Sequence, residues 1–344
     1  MGRGKLGIIA CSSGRYFAEK MLEKLGPICK EGECRIISTK ESTFANGETK
    51  TVINEHIRGD DIYIVQCVDD PLSEKSINDL IMELITAVDA ARRSDANYVT
   101  AVVFPFPYAR QEKQASREAI TASVLARTLE DTGADGVMTL DVHADAIAGF
   151  FRKAIFFNLY ATHAIIRYFT KEFNIDPQDL VVVSPDAGGA KRARFYAKTI
   201  GSKLAIFNKE RDYSKVNVVN KVTLIGDIKG KKHALVVDDM IDTGGTMCRV
   251  AEMLKDEGIE NIYVACSYAF LHGKAVEKFS DLYKRGIIKA MIGTDVIYRG
   301  KEFEKEHPWY KAVSMAGFFA NIIKKVNEEK STLEVLDEEY KRWC

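Results

Sequence analysis

The 344-residue chain has no charge of one sign to spare: Lys and Arg total 49, and Asp and Glu total 49. That balance gives no global basic field for nucleic acid and no acidic tail of the kind that stays unfolded. A cysteine framework is also missing. Cys11, Cys29, Cys34, Cys67, Cys248, Cys266 and Cys344 are scattered, only Cys29 and Cys34 are close, and no second pair completes a zinc site. An odd number of thiols without a framework fits a reducing compartment. No apolar run is long enough to span a bilayer, and the opening MGRGKLGIIACSS is too short in apolar residues for a signal peptide. Leu6 stands where a myristoylation signal needs Ser or Thr, so Gly2 is no acceptor. The expectation is a soluble cytoplasmic protein with neither nucleic acid nor a membrane as partner. No Pro/Ser-rich linker and no short repeat interrupts the chain, and its length suits about two domains.

What the sequence does contain is alternation. Short apolar runs predict strands over 6–10, 34–38, 61–67, 98–106 and 136–141. Between them, stretches of 3.6-residue period predict helices over 15–30, 76–94 and 121–131. The second half continues with helices over 161–173, 188–200, 247–255 and 274–284, and strands over 180–184, 204–208, 234–237, 262–268 and 288–293. Strand–helix alternation implies an α/β fold of mostly parallel sheets flanked by helices. Two halves of similar size suggest duplication of one unit, with the border near Leu159. A final amphipathic helix lies within 307–330.

One stretch stands out, Ala234-Leu-Val-Val-Asp-Asp-Met-Ile-Asp-Thr-Gly-Gly-Thr246. A buried strand, an acid pair and a small-residue loop run into a helix N-terminus. There the backbone N–H groups and the helix dipole favour an anion, and Gly lets the backbone approach it closely. Thr243 and Thr246 add hydroxyl donors. Asp238 and Asp239 suit the hydroxyls of a sugar, or a divalent cation held by one. Other candidates stand at strand ends, where open α/β sheets put their sites: Asp141 and His143, read as sharing one face of an extended chain, and Asp186 ahead of Gly188-Gly189. Arg110-Gln111 sits in a polar loop after a buried strand. Lys209 and Arg211 point to one side of an extended polar segment.

The 234–246 stretch resembles the phosphoribosyl pyrophosphate loop of type I phosphoribosyltransferases, in which the loop holds the 5-phosphate and the acid pair holds ribose hydroxyls. Over nearly its whole length the chain resembles the ribose-phosphate pyrophosphokinase family, through FANGE at 44–48, NDLIMEL at 78–84, FPYARQEK at 106–113, TLDVHA at 139–144, GFF at 149–151, VVVSPDAGGAKRA at 181–193, NKER at 208–211 and GDIKG at 226–230. The resemblance implies two tandem phosphoribosyltransferase-like domains. These are 1–159 on the ATP side and 160–306 on the ribose 5-phosphate side, with a helix and tail over 307–344 packing on the first. It implies transfer of the β,γ-diphosphoryl group of ATP to the 1-hydroxyl of ribose 5-phosphate, with Mg2+ as cofactor.

The residue roles follow by resemblance. Phe44, Asn46 and Glu48 hold adenine and are lent by a neighbouring subunit of a dimer-based homo-oligomer, commonly a hexamer. Arg110, Gln111 and His143 meet the triphosphate. Asp141, His143 and Asp186 serve the metal. Asp186, Asp238, Asp239, Asp242, Thr243, Gly244, Gly245 and Thr246 hold ribose 5-phosphate. Lys209 and Arg211 ride a mobile arm over the transferring phosphates and are the catalytic cations.

The chain departs from the family pattern in three places. Residues 69–75 lengthen a loop, the loop after Gln111 lacks an acid near Ala115, and Arg152 and Phe157 replace acids of a secondary cation site. Phosphate activation and ADP inhibition are therefore not expected from the resemblance. Two rivals remain on sequence grounds, a type I phosphoribosyltransferase and a silent regulatory paralogue. The first leaves FPYARQ and TLDVHA unexplained, and the second is at odds with the retained loop and arm cations.

Overall fold

The computed structural model describes residues 2–211 and 219–335, and of residues 209–211 and 219–222 the backbone alone. The side chains of Lys209 and Arg211 and the tail from Leu336 lie outside the described residues.

The first half runs β1 (Leu6–Ala10), α1 (Arg15–Leu25), β2 (Cys34–Ile36), β3 (Thr39–Thr43), β4 (Thr49–Ile53), β5 (Asp61–Cys67), α2 (Ile77–Arg93), β6 (Tyr98–Phe104), α3 (Thr121–Thr132), β7 (Gly136–Leu140) and β8 (Ile155–Leu159). Six of these strands form a parallel sheet in the order β2-β1-β5-β6-β7-β8. Its central strands β5 and β6 are buried almost throughout, as a parallel sheet covered on both faces requires. The expected helix over 76–94 begins with a capping box: the Ser76 hydroxyl accepts from Asp79 N, and the Asp79 carboxylate accepts from Ser76 N. That satisfies two backbone donors and fixes the helix start, so Leu80, Leu84, Ala87, Val88 and Ala91 face the sheet.

The second half runs α4 (Thr162–Phe173), β9 (Leu180–Ser184), α5 (Ala190–Ile200), β10 (Lys203–Arg211), β11 (Val219–Ile225), β12 (His233–Ile241), α6 (Gly245–Asp256), β13 (Asn261–Ala269), α7 (Ala275–Lys284), β14 (Ile288–Thr294), α8 (Phe303–Glu306), β15 (Tyr310–Val313) and α9 (Ala316–Asn327). Seven strands form the second sheet in the order β11-β10-β9-β12-β13-β14-β15, parallel except for the β10–β11 pair.

Several elements were not expected from the sequence. The FANGE turn caps a separate antiparallel hairpin, β3–β4. β8 and β15 are edge strands, and neither was picked out in the sequence. The extended polar segment from Lys209 was not expected as part of a sheet, but it contributes the end of β10 and pairs with β11, Lys209 opposite Val222. There the ladder stabilises strand structure in a polar sequence.

α9 returns to the first sheet. Phe319 packs edge-on against Phe17 and Phe104, with centroids 5.5 and 5.1 Å away. Lys324 Nζ reaches Glu33 Oε2 at 2.8 Å, Asn327 Nδ2 donates to Asp61 Oδ2 at 3.1 Å, and Asn327 O accepts from Arg3 N at 2.8 Å. One core continues across the seam between the sheets, with Leu140 and Leu159 from the first and Leu235, Val237 and Tyr268 from the second. The C-terminal ends of β7 and β12 therefore face each other.

Candidate active site

The seam brings together the residues singled out at strand ends. β12 is apolar and buried from Ala234 to Val237, and then Asp238 and Asp239 emerge at its C-terminal end. The side chain of Arg192, on the first turns of α5, reaches both: its Nη1 lies 3.4 Å from Asp238 Oδ1 and 3.5 Å from Asp239 Oδ1. From the other domain, His143 Nδ1 stands 2.6 Å from Asp239 Oδ2. Burial opposes the charge on Asp239, but the His143 hydrogen bond and the Arg192 guanidinium hold it below the usual carboxylate range. Burial and the adjoining carboxyl push Asp238 up instead. The pair thus presents two carboxyl groups of unequal acidity side by side.

Asp141 lines the same cleft as His143, but not along an extended chain. Its φ of 39° breaks the extended chain and turns its side chain inward. Oδ2 accepts from Ala161 N at 2.9 Å and from Ser267 Oγ at 2.5 Å. Asp141 is buried, whereas His143 is exposed. The spacing argument for the two as neighbouring ligands fails because a strand end need not stay extended. Asp186 ends the turn into α5, with Oδ1 accepting from Gly189 N at 3.0 Å. Among the described residues, no group of three or more His, Cys, Asp or Glu side chains is arranged to hold a metal ion. A cleft of about 590 Å³ opens beside this cluster, lined by Asp141, His143, Tyr160, Gly188, Lys191 and Arg192 among others.

The loop after β12 is the candidate anion cradle. Gly244 caps α6 with φ 71°, a left-handed conformation, and a Cβ there would meet Phe279 Cε2 at 2.8 Å. No side-chain hydrogen bond caps this helix start, which lies at the positive end of the helix dipole. Thr243, Gly245 and Thr246 are exposed, and the Thr243 carbonyl is tied down by Lys278 Nζ at 2.9 Å. Asp242 is held by Arg110, Nη1 to Oδ2 at 3.2 Å, across the seam. Gln111 is exposed beside it.

Phe44, Asn46 and Glu48 lie elsewhere, at the exposed tip of the β3–β4 hairpin. The turn closes on itself, Phe44 N to Glu48 O at 2.8 Å and Glu48 N to Asn46 Oδ1 at 3.2 Å. Phe44 is 53% exposed, an unusual position for a phenyl ring.

Two groups in the site were not singled out by sequence reasoning. Arg192 lay inside GGAKRA, where a cation one turn into a helix that follows a glycine turn is the only available signal. His272 ends up beside Asp242 and Asp69, and nothing in the sequence links positions 203 residues apart.

Comparison with known proteins agrees with this architecture. Residues 6–133 match the model for the N-terminal domain of ribose phosphate pyrophosphokinase, and residues 157–298 match the phosphoribosyl transferase domain. A ribose-phosphate pyrophosphokinase of Clostridium acetobutylicum is 37% identical over 297 residues, covering 86% of this chain and 88% of the relative. Ribose-phosphate pyrophosphokinase A of Dictyostelium discoideum is 38% identical over 289 residues, covering 84% and 86%. The crystal structure of phosphoribosylpyrophosphate synthetase from Mycobacterium smegmatis superimposes with a TM-score of 0.82 at 28% identity, over 94% of this chain and 99% of that one. With both domains matched in order and the relatives aligned over most of their length, the chain belongs to the ribose-phosphate pyrophosphokinase family.

Proposed function

We propose that the protein is a ribose-phosphate diphosphokinase, which transfers the β,γ-diphosphoryl group of ATP to the 1-hydroxyl of ribose 5-phosphate and releases 5-phosphoribosyl 1-diphosphate and AMP. The observation that carries this reading is the contact of His143, from the nucleotide-side domain, with Asp239, from the sugar-side domain. It sets an anion cradle and a carboxylate pair against residues suited to a triphosphate.

The sugar's 5-phosphate sits on the backbone donors of 242–246, and Asp238 and Asp239 take the ring hydroxyls. Arg110, Gln111 and His143 meet the triphosphate. The 1-hydroxyl oxygen attacks the β-phosphorus in line, forming the new O–P bond as the bond to the AMP oxygen breaks. No covalent enzyme intermediate is needed. Charge spreads over the phosphoryl oxygens, and cations placed there lower the barrier. Lys209 and Arg211 take that role.

Mg2+ keeps most of its ligands as waters and phosphate oxygens, so one or two protein groups suffice to hold it. His143, exposed, and Asp186, at a half-buried turn, fit that requirement; Asp141, committed to Ser267 and Ala161, fits it less well. When bound, the ion supplies neutralisation of phosphate charge.

The domain units 1–159 and 160–306 divide the ATP and ribose 5-phosphate sides. The working form is a dimer-based homo-oligomer in the cytoplasm, in which Phe44, Asn46 and Glu48 complete a neighbour's adenine site. The isolation of the 44–48 tip, far along its own hairpin, supports that arrangement. Among the described residues no helix is long and apolar enough to cross a membrane.

The decisive experiment is product analysis with β-labelled ATP and ribose 5-phosphate. Label in the sugar product with unlabelled AMP is expected. Absence of AMP from a well-folded, Mg2+-replete sample overturns the reading.

A further inference from the structure

His272 follows β13 in the loop that closes on the anion cradle. Its backbone N–H donates to Asp242 O at 3.1 Å, and Leu271 N donates to Ile241 O at 3.1 Å. Both ring nitrogens are engaged: Nδ1 lies 2.9 Å from Asp242 Oδ1, and Nε2 lies 2.9 Å from Asp69 Oδ1. A ring that meets a carboxylate on each side donates twice, which requires the imidazolium. The ring also stacks on Phe270, centroids 5.7 Å apart and planes 7° from parallel. Arg299 fixes that segment from behind, with Nη1 donating to Ala269 O and Phe270 O. Leu271 carries φ 53°, a strained conformation for a branched residue that persists only where its surroundings impose it.

Asp69 belongs to the other domain, where it opens the lengthened 69–75 loop just after β5. The bridge therefore links that loop to the first residue of the cradle. A carboxylate beside a phosphate site repels the ligand unless cations neutralise and fix it. Asp242 has two such cations, Arg110 and His272.

Resting on the diphosphokinase reading, we infer that His272 is a positioning residue for ribose 5-phosphate, latching Asp242 of the phosphate cradle to Asp69 across the domain seam. The latch acts on sugar-phosphate binding, because it orders and neutralises the loop that receives the 5-phosphate. It does not touch the reacting atoms.

The groups facing the imidazole are Asp69 and Asp242, with Arg110 and Arg299 beyond them. Burial works against its charge, but the Asp242 hydrogen bond and the Asp69 field hold its pKa above the ordinary histidine value. The charged form, and with it the latch, is present below that raised value and is lost as pH rises through it.

The test uses the full chain, with ribose 5-phosphate varied at saturating ATP between about pH 6 and 9, a range that spans ordinary and raised imidazole values. His272→Asn is expected to raise the KM for ribose 5-phosphate by roughly ten- to a hundredfold, the worth of a charge-assisted hydrogen bond, with little change in kcat or in the KM for ATP. His272→Lys, which keeps a cation, recovers most of the affinity and loses the pH step. In the wild type that KM climbs as pH rises, and Asp69→Asn moves the climb to lower pH. Calorimetric titration of ribose 5-phosphate into the same variants reads the latch without turnover.

Wild type that forms no AMP overturns the reaction and leaves the latch to be judged by calorimetry. Wild type that turns over while His272→Asn keeps its KM and affinity overturns the latch. A parallel loss of kcat and of both KM values in His272→Asn, unrescued by Lys, also overturns it and marks His272 as structural.

Discussion

The imidazole of His143, just past the end of β7, stands 2.6 Å from the carboxylate of Asp239, at the end of β12. Each sheet alone offers half a site at its C-terminal edge, as open α/β sheets do. The contact joins the halves and leaves the two carboxylates of Asp238 and Asp239 shared between His143 and Arg192.

Arg192 is the first residue to test. Its side chain is 21% exposed and lies against both acids. Removing one partner of a buried ion pair strands the other charge. Arg192→Met is expected to cost about 3 kcal/mol of stability and to weaken ribose 5-phosphate binding. Urea unfolding and calorimetric titration check both, and wild-type values in each refute the assignment.

Gly244 is fixed by its φ of 71° and by the nearness of Phe279. Gly244→Ala forces a left-handed alanine, at a cost of about 1–2 kcal/mol, and presses on the ring. Ribose 5-phosphate affinity falls with it. Combining Gly244→Ala with Phe279→Leu should be less than additive in thermal unfolding, since the smaller side chain relieves the contact. Strict additivity counts against the clash.

Lys209→Ala probes the arm. A cation that meets charge only in the transition state affects kcat and spares substrate binding. A fall of roughly a hundred- to a thousandfold in single-turnover rate is expected, with ribose 5-phosphate affinity nearly kept. Unchanged turnover removes Lys209 from the catalytic assignment.

Phe44→Ala tests the lent hairpin. Alone it should raise the KM for ATP and spare that for ribose 5-phosphate. Mixed and reassembled with Lys209→Ala, it should regain activity, because some sites then combine an intact arm with a neighbour's intact Phe44. Failure of the mixture to exceed either variant argues for sites built within one chain.

Glu41 gives a pH signature away from the site. It sits on β3 near Glu83, whose carboxylate is buried and paired with Lys75. Burial, then the field of Glu83, pushes the Glu41 carboxyl up to about 7, against about 4.3 in an unfolded chain. Between those values the native state binds the extra proton, so its stability contribution declines as pH rises from about 4 to 7 and then levels off. Glu41→Gln removes the decline. The variant should therefore unfold at higher urea than wild type at pH 8, with the gap closing toward pH 4. A gap independent of pH excludes titration of Glu41 as the cause.

The fold was legible in the sequence wherever a strand or helix carries its own pattern. The buried run of β5, the apolar period of α2, and the Val-Val-Asp-Asp turn into α6 all stand as read. β8, β11 and β15 were not, because edge strands draw their structure from a neighbour's hydrogen bonds more than from their own apolar period. The extended geometry assumed between Asp141 and His143 does not hold for a related reason: the backbone turns at Asp141, and no residue type there announces it.

The sequence by itself determined the alternating architecture, the glycine turn into α6 and the list of candidate charged groups. Those features are written in local order, by apolar period, glycine placement and the few residues that start a helix. Only the tertiary structure decided which of those groups meet. Arg192 lies against Asp238 and Asp239 because β9, which leads into α5, pairs with β12, while His143 meets Asp239 and His272 meets Asp69 because burial of one continuous core presses two sheet edges together. Contacts between groups 30 to 203 residues apart follow from that packing, and no local pattern encodes them.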